Sequence, residues 1–78
     1  MREVKLSNGK GMQIGSLTGS QVKKFRESKL DGIDEVFHVA EMNGIPGDRA
    51  EEMAFSDLRA IHEATIAETF GIEKETKN

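Results

Sequence analysis

With 78 residues, of which 36% are hydrophobic, 32% charged and 5% aromatic, and a formal net charge of −3, the chain holds one small domain and leaves no room for a Rossmann-type nucleotide domain or a barrel. No uninterrupted apolar run exceeds three residues and no apolar leader precedes the first charged residues, so neither a membrane span nor an export signal is expected. Without cysteine there are no disulfides, thiolate zinc sites or Cys nucleophiles, and the fold must stand on a thin, unstapled core.

Val4 and Leu6, then Met12 and Ile14, alternate with polar residues, which predicts strands at about 2–6 and 11–15. Asn8-Gly9 between them predicts a type I′ hairpin turn, whose two central residues both need positive φ. Thr18 with Gln21 three residues on has the form of a capping box, and Leu17 and Val22 are spaced as a hydrophobic staple, so a first helix starts just after Thr18. Val22, Phe25 and Lys29 give it one narrow inward stripe.

Asp31 is placed to cap a second helix, in which Ile33, Val36, Phe37 and Ala40 follow the i, i+3, i+4, i+7 spacing of a core-facing side. Asp34 and Glu35 sit in its first turn, where the helix dipole favours negative charge. Gly44 is a natural C′ residue, Ile45 is placed to fold back on Val39 or Ala40, and Pro46 forbids continuation. A short helical turn is expected around 48–53, with Asp48 and Glu51 as a second capping box. Ser56 is then read as the cap of a longer helix running to Phe70. Gly71 stands at its C′ position and Ile72 is placed to fold back towards Ile66. Its inward face comprises Leu58, Ile61, His62, Thr65, Ile66 and Thr69, and residues 73–78 are expected to fray. The fold class is therefore α+β: an N-terminal β-hairpin followed by three main helices and one short helical turn, in one compact domain over residues 1–72.

The net charge conceals an asymmetry. Residues 1–30 carry +5 and residues 31–78 carry −8. Such a split fits a basic nucleic-acid patch, a docking dipole, or two halves that attract each other on folding, and the last is preferred. The nucleic-acid alternative would use Lys23, Lys24, Arg26 and Lys29. It is disfavoured because these side chains spread around their helix, because Tyr and Trp are absent, and because the chain is acidic overall.

No catalytic pattern emerges. Gly9 to Gly15 only loosely resembles a dinucleotide fingerprint and overlaps the hairpin, and Gly15 to Ser20 lacks the Gly-Lys-Ser/Thr ending of a P-loop. His38 and His62 have no second ligand at i+4, so no metal is assigned, and no cofactor either. His62 is read as a boundary histidine bonded to backbone or solvent, with a buried pH-sensitive group as the sharper alternative. Ala60, Ala64 and Ala67 fall on one side of the last helix, either as helix formers or as a surface that another helix could approach closely. Met42, Met53 and Phe55 cluster around the 44–56 connection, either as an adaptable apolar contact patch or as a lid on the core.

The order of features resembles a known group. A hairpin carries Leu6-Ser-Asn-Gly-Lys10, Leu17-Thr-Gly19 opens a helix, Met42-Asn-Gly-Ile45 ends the next, and Phe55-Ser-Asp-Leu-Arg59 starts a long last helix. Over about residues 3–72 this resembles the small tail assembly chaperones of long-tailed phages and prophages. The resemblance implies a non-enzymatic protein in the cytoplasm of a bacterial host cell, which binds the tape-measure protein and tail-tube protein reversibly during tail assembly. Met42, Met53, Phe55, Ala60, Ala64 and Ala67 are the candidate partner-binding residues, assigned from their own chemistry. A structural tail or head-completion component, a small nucleic-acid-binding or regulatory protein, and weak self-association remain as alternatives.

Overall fold

The computed structural model describes residues 2–71. The chain forms β1 (Arg2–Lys5), β2 (Gly11–Ile14), α1 (Gly19–Ser28), α2 (Gly32–Met42), α3 (Gly47–Glu52) and α4 (Phe55–Phe70), so the expected α+β order of a hairpin followed by helices is present. The predicted fold-back of Ile72 and the fraying of 73–78 lie outside the described residues.

β1 and β2 pair antiparallel, with Arg2 opposite Ile14 and Val4 opposite Met12. Val4 and Ile14 are buried while Glu3, Lys5 and Gln13 face water, the alternation expected of a sheet with one wet face. The connection is not a type I′ turn. Leu6 C=O accepts from Gly9 N–H (3.0 Å) and Leu6 N–H donates to Lys10 C=O (2.8 Å), which leaves a three-residue loop. Gly9 alone takes positive φ there (89°), so Asn8 is spared the left-handed conformation. The Asn8 carboxamide oxygen instead accepts from Lys10 N–H (3.0 Å), locking the turn from inside. The tip is then clamped to α4, because the Asp57 carboxylate accepts from both Ser7 N–H (3.0 Å) and Ser7 Oγ (2.8 Å).

α1 begins with the capping box read from the sequence: Gln21 N–H donates to Thr18 Oγ1 and Thr18 N–H to Gln21 Oε1. Leu17 is buried, and its N–H donates to Thr69 Oγ1 (3.0 Å) on the last turn of α4, which anchors the segment leading into α1. The end of α1 departs from expectation. Lys29 is not part of an inward stripe but the C-cap, at φ 55°, ψ 30°. No residue of α1 is fully buried.

α2 ends in a Schellman motif. Ile45 N–H donates to Ala40 C=O (3.1 Å) and Gly44 N–H to Glu41 C=O (2.9 Å), with Gly44 at φ 88° and Ile45 buried in the core. The other expected caps are not made. Asp31 stands at the N-cap of α2 without a side-chain cap bond. Pro46, not Asp48, precedes α3, where its fixed φ of −61° suits helix entry, and Asp48 accepts from Arg49 N–H rather than closing a box with Glu51. Ala54, not Ser56, is the N-cap of α4, so Ser56 already lies inside the first turn.

The core joins Val4 and Ile14 of the hairpin, Val36 and Ala40 of α2, Ile45, Ala50 of α3, and Leu58, Ile61 and Ala64 of α4. α4 is its spine, packing on α2 and both strands, with α3 held by α2 and α1 at the periphery. Both long helices turn away from the faces drawn from spacing. In α2 the buried residues are Val36, Val39 and Ala40, a stripe centred about 65° from Ile33 at 100° per residue. In α4 they are Leu58, Ile61, Ala64 and Thr65, which leaves His62 and Ile66 half-buried. One buried polar cluster fixes the contact between the two helices. Thr65 Oγ1 donates to Ile61 C=O (2.7 Å) and accepts from Asn43 Nδ2 (3.0 Å), and Asn43 Nδ2 also donates to Val39 C=O (2.9 Å).

Candidate functional site

The rotation of α2 decides the surface. Because Val39 takes the inward place, Ile33 is left 63% exposed, and beside it Phe55 at the start of α4 is 41% exposed. Ile33, Val36, Phe55, Arg59, His62 and Glu63 line one open groove between the first turns of α2 and α4. Phe55 is braced by Phe37, ring centroids 6.3 Å apart and tilted at 43°, a favourable aromatic geometry that fixes its edge of the groove. His62, which lines the groove, shares a hydrogen bond with Glu35 of α2 (Nε2 to Oε2, 2.6 Å). His62 therefore has a carboxylate of α2 as its partner, in place of the backbone or solvent expected of it, and this bond ties α4 to α2. Arg59 pairs with Glu63 (3.5 Å) on the outer side of α4.

The other candidate partner-binding residues are distributed differently. Ala64 is buried in the core, and Ala60 packs against that core from a half-buried position, so the alanine side of α4 serves internal packing at both residues. Ala67 is half-buried. Met53 packs on the core as a lid, while Met42 is half-buried at the end of α2. Only Phe55 of this set stands on the groove, and Ile33 is the residue that spacing missed. The missed signal was a second stripe, Val36-Val39-Ala40, interleaved with Ile33-Phe37-Ala40 on the same helix.

A second surface lies on α1. Lys23, Arg26, Lys29 and one acid, Glu27, line a shallow depression with Val22 at its floor, while Lys24 falls on another side of the helix and is exposed. The preferred reading of the charge asymmetry, that the two halves satisfy each other on folding, is corrected here. Among the described residues, Arg2–Glu68 (3.2 Å) is the one ion pair that joins the basic to the acidic part, and Lys23, Lys24, Arg26 and Lys29 have no acidic partner within 4.0 Å. α1 is held instead by its cap and by Phe25, whose ring stacks on His38 of α2 (6.5 Å, 13°). Stacking leaves His38 Nε2 buried without a hydrogen-bond partner among the described residues.

A third surface is acidic. Asp34 and Glu41 of α2 and Glu51 of α3 rim a groove floored by Phe37 and His38, with Leu30 at its lip. The glycines singled out as phosphate candidates have structural duties, since Gly9 and Gly11 belong to the hairpin and Gly15 to the segment that Leu17 anchors. Among the described residues no three His, Asp or Glu side chains converge to hold a metal ion, and no helix is long and apolar enough to cross a membrane. Comparison with protein-family models, curated protein sequences and solved structures gives no significant match.

Proposed function

We propose that the chain is a non-enzymatic binding module that acts by reversible protein–protein contact, in the manner of the small tail assembly chaperones that its sequence resembles. The supporting observation is the groove rimmed by Ile33 and Phe55. Two large apolar side chains are exposed side by side at the adjoining ends of α2 and α4. Neighbouring exposed apolar groups rimmed by polar ones mark a contact surface. The partner chemistry that fits is an amphipathic helix, which could lay apolar side chains between Ile33 and Phe55 and polar ones against Arg59 and Glu63. A tape-measure protein is such a partner, and tail-tube subunits would displace the module from it. An open groove supports the modest affinity that such exchange requires.

Co-expression with a tape-measure protein from the same genome tests this. The expected result is increased solubility of the tape-measure protein and a recovered complex that Ile33→Ser and Phe55→Ser each weaken by tenfold or more, about 1.4 kcal/mol. Unchanged solubility with no complex refutes the proposal. Mass spectrometry of purified virions separates a chaperone, which is absent from the particle, from a structural tail component, which is present.

A further inference from the structure

The charged rims of the basic depression on α1 and of the acidic groove between α2 and α3 take no part in the core or in the proposed function. Each has the same construction. On α1, Val22, Arg26 and Lys23 occupy one sector about 100° wide, its centre turned about 110° from Phe25, the side chain that holds the helix to the body. On α2, Asp34, Phe37, His38 and Glu41 share one face at i, i+3, i+4 and i+7, and Glu51 of α3 completes the rim. One surface sets three cations and Glu27 around an apolar centre, a net positive rim, and the other sets carboxylates around an apolar floor, with Leu30 39% exposed at its edge.

Within one chain they do not meet. Phe25 on His38 brings α1 to the margin of the acidic groove, yet none of Lys23, Arg26 and Lys29 has a carboxylate within 4.0 Å among the described residues. The same holds for Asp34, Glu41 and Glu51 with respect to cations. Two complementary surfaces that cannot satisfy each other internally can do so between copies.

We propose that the protein associates with further copies of itself head to tail, the basic face of α1 in one copy seating on the acidic α2–α3 groove of the next. The occupant is a second copy because the chain itself supplies both signs, three cations with one acid, Glu27, at their edge against three carboxylates, with Val22 facing Phe37 and Leu30 between them. A nucleic acid suits the basic face less well. The one aromatic ring of α1, Phe25, is committed to His38 and offers no stacking platform, and the body of the molecule is acidic. The contact joins unlike surfaces, so seated once per pair, head to tail, it is heterologous and leaves one basic and one acidic surface free at the ends for further copies. Its strength is electrostatic and therefore fades with salt. The proposal stands independently of the Ile33–Phe55 groove, whose lining residues differ, and its test substitutes neither those nor Phe37, which braces Phe55.

Sedimentation velocity of the full chain over a concentration series tests it at about 0.05 M and about 0.5 M salt, where screening differs severalfold. The expected result is a mass that rises with concentration at low salt, with association at least tenfold weaker at high salt. Lys23→Glu with Arg26→Glu, and separately Glu41→Lys with Glu51→Lys, should each abolish association with unchanged circular dichroism. An equimolar mixture of the two variants should restore it, since each retains one native surface. Where a reversal variant does not fold, Lys23→Gln with Arg26→Gln or Glu41→Gln with Glu51→Gln replaces it and should weaken association at least threefold. A monomer at every concentration at low salt, association indifferent to salt, or a mixture that does not associate overturns the proposal. So does binding of duplex DNA to α1 by a chain that stays monomeric.

Discussion

The polar cluster between α2 and α4 gives the sharpest stability test. Asn43 Nδ2 makes two hydrogen bonds, to Val39 C=O at 2.9 Å and to Thr65 Oγ1 at 3.0 Å, and Thr65 is wholly buried. A buried bond of this kind contributes about 0.5–1.5 kcal/mol net. Asn43→Ala removes both, and the Thr65 hydroxyl keeps its bond to Ile61 C=O, so the expected cost is about 2 kcal/mol. Thr65→Val preserves shape and removes the acceptor for Asn43 together with the hydroxyl's own bond to Ile61 C=O, a carbonyl that keeps its place in the helix. About 1 kcal/mol is expected. Once Asn43 is alanine, the Thr65 hydroxyl has no partner on α2 left to lose, so the double variant should cost about 1 kcal/mol less than the two single costs added. Urea unfolding at 25 °C followed by circular dichroism measures all four corners of the cycle. Against a total stability of about 4–12 kcal/mol for a domain of this length, these are large effects. A coupling below about 0.3 kcal/mol, or a Thr65→Val variant as stable as the parent, would refute the claim that this cluster fixes the helix pair.

Three further outcomes follow from the same structure. Lys29→Gly should stabilise the protein by about 0.5–1 kcal/mol, read as a raised thermal midpoint, because Lys29 holds a left-handed conformation that glycine adopts without steric cost. Thr18→Ala should cost about 1 kcal/mol, seen chiefly as faster amide exchange in α1, where tertiary packing is least able to compensate for a lost cap. Ile61→Ala empties a fully buried site at the centre of α4 and should cost about 2–5 kcal/mol in denaturant unfolding, whereas Ile33→Ser, on the exposed rim, should change stability by less than about 0.5 kcal/mol.

Local chemistry was legible wherever one residue type satisfies one backbone demand. The Thr18–Gln21 box, the stop at Gly44-Ile45-Pro46 and the hairpin strands follow from hydrogen-bonding groups and φ preferences that act within a few residues. Where several nearby residues could meet the same demand, proximity in sequence could not choose among them. Ala54 rather than Ser56 precedes α4, and Asn-Gly entered a three-residue loop that spares Asn8 a positive φ.

The sequence by itself determined the fold class, the order of elements and the excess of positive charge before residue 31. These depend on composition, periodicity and local capping, all of which are properties of short stretches of chain. Tertiary structure alone decided which of two overlapping stripes on α2 and α4 turned inward. A helix rotates to bury the side chains that fit its neighbours, and here Val39 and Ala64 fitted where Ile33 and His62 had been expected. That rotation placed Ile33 and Phe55 on a surface groove and joined His62 to Glu35. It was also only in three dimensions that the basic helix proved to be held by Phe25 rather than by charge, leaving its cations without a described acidic partner. Opposite charges far apart in sequence attract, but whether they meet depends on where packing has fixed their helices.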